Sequence, residues 1–101
     1  MSINLTDFQK SIAVGDVLMV KEIFISADRP RAWRWFGLVH SQGYGWCKCY
    51  RLGAVEENLR MVRIARVIVD GGYVQPLHPD EWPDGVHAFR MKLILEGKID
   101  I

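Results

Sequence analysis

Cysteine is scarce in this chain: 101 residues contain two, Cys47 and Cys49, with one residue between them. On a strand both would point the same way, and a disulfide between positions i and i+2 is geometrically poor. A disulfide framework is therefore excluded. C-x-C without a second cysteine pair also departs from the spacing by which thiolates converge on structural zinc, so no metal and no cofactor are expected. Free thiols suit a reducing compartment, and a cytoplasmic location is expected. No apolar run approaches the length of a bilayer span. Met1 to Phe8 lacks the basic start and apolar stretch of a secretion signal, so no membrane partner is expected. Net charge is only +1, which gives no global pull toward nucleic acid or membrane. Phosphate-loop chemistry is missing too. Gly43, Gly45, Gly71 and Gly72 lack the strand–loop–helix setting and the Lys-Ser/Thr ending. There is no repeat, low-complexity tract or linker.

What remains is the composition of a folded domain. Half of the chain is hydrophobic and a quarter is charged. The length suits one domain over residues 1–101 with one modest core. Four tryptophans can supply much of the buried area in a core of that size.

The charge is unevenly distributed. Residues 28–66 hold eight basic side chains (Arg29, Arg31, Arg34, Lys48, Arg51, Arg60, Arg63, Arg66) against three acidic ones. Residues 70–101 hold six acidic against three basic. Either the two halves neutralise each other in the fold, or the middle presents a basic face to an anionic partner.

Thr6 and Gln9 form a weak capping box for a short helix over 7–13. Val14-Gly15-Asp16 turns the chain. Asp16 to Ile25 is apolar on both faces and reads as a mostly buried strand. The Gly15-Asp16 turn leading into it resembles the opening of SH3-like and PUA-like barrels over a few residues, and no function is carried from it. Ser26 to Ala32 reads as a loop. Trp33 to His40 and Trp46 to Leu52 read as a hairpin turning at Gln42-Gly43. That turn pairs Val39 with Trp46, Gly37 with Lys48, Trp35 with Tyr50 and Trp33 with Leu52. Trp33, Trp35, Val39, Trp46, Tyr50 and Leu52 then share one face, with Cys47 and Cys49 on the other. A one-residue slip would undo this sorting.

Arg60 to Val69 reads as a fourth strand, Asp70-Gly71-Gly72 as a second hairpin turn, and Tyr73 to Leu77 as a fifth strand. His78 to Gly85 is a proline-punctuated loop. Val86 to Glu96 suits both periods; residue propensity and Gly97 favour a helix, and Asp84 stands where its cap belongs. The fold expected is α+β: a small domain dominated by a curved antiparallel sheet of about five strands, barrel-like, with a short helix at each end.

The chemistry concentrates in the first hairpin. Arg29, Arg31, Trp33, Arg34, Trp35, Trp46, Lys48, Tyr50 and Arg51 interleave aromatic and basic side chains. Bases stack on exposed aromatics and arginines collect phosphates, so this is a candidate nucleic-acid face. In this register a flat ring could lie at Gly37, between Trp35 and Trp46. The alternative is that these aromatics are simply core. A third reading lets the same patch, or a sheet edge, dock another protein or a second copy in a homodimer. Catalysis ranks last. Cys47 and Cys49 lack an electropositive cleft, and Asp80, Glu81 and Asp84 beside His78 read as a solvated turn. A non-enzymatic binding module is expected.

Overall fold

A computed structural model describes residues 11–25, 28–54 and 57–101. Strand β1, Val17–Ile25, buries Leu18 and Val20 on one face and Val17 on the other. A strand buried on both sides needs cover on both sides. The rest of the chain supplies it. Strand β2, Pro30–Gly43, runs back along β1, and β3, Trp46–Arg51, and β4, Leu59–Arg63, extend the sheet. Helix α1, Ile64–Val69, follows, then β5, Tyr73–Pro76, a 3-10 turn at Pro79–Glu81, and helix α2, Val86–Leu95. The strand order is β4-β3-β2-β1-β5, and all four pairings are antiparallel.

One face packs Leu18, Val20, Trp35, Val39, Cys47, Cys49 and Val62 against Ile64 and Val67 of α1. The other packs Leu38 and Tyr50 against Leu93 of α2 and Ile99. The architecture is an α+β five-stranded sheet with α1 on one face and α2 on the other. It is open: β4 and β5 are its edges, so the expected barrel closure is not formed. No helix among the described residues is long and apolar enough to cross a membrane. The expected helix over 7–13 falls largely on residues 1–10, outside the described residues.

Three local expectations are corrected. The first hairpin turns at Tyr44-Gly45, where Gly45 has φ +79°. Gly43 pairs with Trp46, and a side chain there would run into the Trp46 indole. Beyond it, one extra residue, His40, is inserted opposite β3 between Val39 and Ser41. Such a bulge reverses the alternation of faces from that point on. Gly37 therefore opposes Arg51, Leu38 opposes Tyr50, and Val39 opposes Cys49. Trp33 and Trp35 lie on the face of Cys47 and Cys49, away from Trp46 and Tyr50.

The second correction concerns 60–69, which is half strand and half helix. Ile64, Val67 and Ile68 recur at helical spacing, and all three meet the core. Strand alternation would instead have placed Arg66 in their row. Asp70-Gly71-Gly72 ends that helix. The Gly72 N–H donates to the Val67 carbonyl at 2.8 Å, and Gly71, at φ +96°, donates to Ile68 at 3.0 Å. This is the two-bond C-terminal motif that glycine permits. Helix α2 ends the same way, with Lys98 donating to Leu93 at 2.9 Å and Gly97 to Ile94 at 3.1 Å. The third correction is its start: the cap is Gly85, at φ +81°, with no side-chain bond from Asp84.

Gly72 is also where the chain passes against β1. A methyl group there would strike the backbone carbonyl oxygen of Lys21, which cannot swing aside. Gly72→Ala is expected to cost about 3 kcal/mol in urea unfolding. Gly53→Ala, at φ +80° with nothing within 4 Å, is expected to cost about 1 kcal/mol, from backbone strain alone.

Candidate functional site

β1 and β2 outrun their neighbours. β5 flanks β1 only at Leu18–Lys21, and β3 flanks β2 only from Gly37 onward. The rungs from Glu22–Trp33 out to Ile25–Pro30 therefore have no strand on either side among the described residues. They form a two-stranded ribbon projecting from a molecule of 43 × 30 × 23 Å. Arg31 is exposed on it, with Arg34 exposed at its base and Arg29 exposed just before β2. Phe24 and Ile25 are exposed there too, by 45% and 74%.

At the ribbon's base the aromatics gather. Trp33 stacks on Trp35 with ring centres 5.9 Å apart, and Phe24 lies 6.3 Å from Trp33. Two guanidinium groups sit over Trp33: Arg60 at 4.8 Å and Arg51 at 5.3 Å. A cation over an indole face is attracted by the ring quadrupole. The two arginines are held differently. Arg60 donates to Glu22 Oε2 from Nε at 3.1 Å and from Nη2 at 2.9 Å. The same oxygen accepts from Trp35 Nε1 at 3.0 Å. Among the described residues, Arg51 makes no ion pair. Trp33, Arg51, Arg60, Leu59, Met61, Ala54 and Asn58 line an open groove of about 690 Å³.

The nine residues singled out from the sequence do not form one platform. Arg31, Trp33, Trp35 and Arg51 share a face; Arg34, Trp46, Lys48 and Tyr50 share the opposite one. Arg29 precedes β2. Trp35 and Tyr50 are 4% and 6% exposed and belong to the two cores. The gap expected at Gly37 does not form, because the Trp35 ring and Cys49 crowd that position. Arg60 and Glu22 were not among the nine. Their signal was a lone carboxylate in an apolar strand, with a basic strand elsewhere in the chain to receive it.

Cys47 and Cys49 are free and fully buried, with sulfurs 3.8 Å apart. The bond to Cys47, together with burial, pushes the Cys49 thiol far up. The same contact lowers the Cys47 thiol, and both sulfurs are fully buried. No group of three or more metal-ligating side chains occurs among the described residues.

A second cavity, of about 290 Å³, lies beyond Arg51, toward the start of α2. Glu57 on its wall accepts from Lys92 at 2.8 Å and from Lys98 at 2.5 Å. This clamp ties the connector after β3 to α2 and the following tail. The two lysine bonds lower the Glu57 carboxyl from an ordinary 4.5 to about 2.

The chain matches no protein-family model, and no curated protein or solved structure matches it either.

Two outcomes follow from these ion pairs. Glu22→Gln is expected to destabilise by about 1–2 kcal/mol, and a double-mutant cycle with Arg60→Met should recover about 1 kcal/mol of coupling. Glu57 has a depressed folded pKa. Its contribution is complete above pH 4.5 and disappears as pH falls toward 2. The melting temperatures of the native protein and Glu57→Gln should therefore converge over that acid range. A constant gap down to the bottom of it would show that the clamp does not act through charge.

Proposed function

We propose that the protein is a non-enzymatic binding module for nucleic acid. Its contact surface is the outer β1–β2 ribbon together with the groove of Trp33, Arg51 and Arg60. The observation that carries this reading is the ribbon's charge. Arg31 is exposed on one of the rungs that no other strand flanks, Arg34 is exposed on the first rung inward of them, and Arg29 is exposed just before β2. The one carboxylate within those rungs, Glu22, is occupied by Arg60 and Trp35. A projecting cationic ribbon suits a partner with a regular line of phosphates, because side chains on both faces can reach it. Arginine suits that role through its planar fork. The near-neutral whole does not count against it, since local rather than net charge sets such a contact. Free, buried thiols agree with a reducing, cytoplasmic setting.

A protein partner is the second reading. It is favoured by the exposed Phe24 and Ile25 beside unflanked backbone, and includes a second copy paired edge to edge. The full burial of both thiols speaks against a thiol-dependent enzyme.

Salt separates the first two readings. Binding of a mixed-sequence, fluorescently labelled single strand is expected to weaken steeply between about 50 and 200 mM salt. Each neutralised phosphate contributes a log–log slope of about −0.7. Arg31→Ala combined with Arg34→Ala is expected to make that slope shallower by roughly 1.4 while leaving the melting temperature within a few degrees. No binding at low salt, or a slope near zero, would overturn the proposal and direct attention to protein partners.

A further inference from the structure

We infer that the groove beside Trp33 receives one unpaired base, so that the module selects single strands over duplex. This rests on the nucleic-acid reading and narrows it. The groove is built for a flat, electron-accepting ring next to negative charge. Its walls are Trp33, Leu59, Met61 and Ala54; its cations are Arg51 and Arg60; no carboxylate among the described residues lines it. Its volume, about 690 Å³, falls within the range of small-molecule sites.

The two arginines over Trp33 divide the work. Arg60 is pinned by two bonds to Glu22 and stays where it is. Arg51 is exposed, lies over the ring at 5.3 Å and, among the described residues, makes no ion pair. A base can take Arg51's place on the indole, because stacking on an aromatic face is worth as much as an exposed cation–π contact or more. The displaced guanidinium then swings toward the adjoining phosphate. Arg31 lies on the same face as Trp33, two residues along β2, roughly 7 Å away. That is within reach of a neighbouring phosphate. A base inside a duplex cannot make this contact, because both of its faces are already stacked.

The test compares three labelled probes of equal length at one salt concentration: a thymidine homopolymer strand, an abasic strand with the same phosphates, and a blunt duplex. The homopolymer is expected to bind about tenfold tighter than the abasic strand and tighter than the duplex. Trp33→Leu should bring the homopolymer down to the abasic level, and Trp33→Phe should retain part of the difference. Equal binding of homopolymer and abasic strand, or a preference for duplex, overturns the single-base inference and leaves the nucleic-acid reading standing. Failure of all three probes to bind at low salt removes both. The native protein alone decides between these outcomes, so the test survives a Trp33→Leu chain that does not fold.

Discussion

The extra residue at His40 determines which side chains meet. Side chains on a strand alternate between faces, so one inserted residue exchanges the faces of everything beyond it. Before the bulge, Trp35, Gly37 and Val39 look toward α1; after it, Gln42 does, donating to the Ile12 carbonyl at 2.8 Å. Without the insertion, Trp35 would lie on the face of Trp46 and Tyr50. With it, Trp35 joins Cys47 and Cys49 in one core, while Tyr50 joins Leu38 in the other. Neighbouring backbone fits the same arrangement: Val39 exchanges bonds of 2.8 and 2.9 Å with Gly15 and Asp16 at the entrance to β1.

Glu22 then converts that placement into a surface. One carboxylate oxygen joins three strands, receiving the Trp35 indole from β2 and the Arg60 guanidinium from β4. A half-buried carboxylate needs partners, and these satisfy it with charge-assisted bonds. Arg60 is thereby fixed over Trp33. The ring keeps an edge on the groove instead of collapsing into the core with Trp35. The same contact that stabilises the sheet thus shapes the cavity beside it.

Much of the architecture was legible in the residues. The apolar run of β1, the glycine stop of α2 and the return strand at Tyr73 all follow from patterning and turn chemistry. What escaped was parity. The sequence shows a glycine-rich turn but not which glycine bends; Gly43 serves to admit the Trp46 ring, and Gly45 makes the turn. That difference alone moves the register by four and would preserve the faces. The bulge contributes the odd step, and nothing in Val39-His40-Ser41 announces it. The stretch 60–69 failed for another reason: its β-branched residues satisfy both periods, and only contact with the core decides between them. The site was accordingly half legible. Trp33 and Arg51 do converge, with Arg31 on the same face, whereas Arg60 and Glu22 enter through pairings between strands far apart in the chain.

The end of the ribbon is a part of the molecule whose length the core does not dictate. Among the described residues its last rungs, Phe24–Arg31 and Ile25–Pro30, pair with no third strand, so their number is a free parameter of the design. Adding residues in matched pairs to both arms would carry the arginines outward by about 6.6 Å per step and keep each on its face. Adding a single residue to one arm would turn every arginine beyond it to the opposite side. Reach can therefore lengthen step by step among descendants of such a chain without changing the side of contact, while a single unmatched residue reverses that side at once.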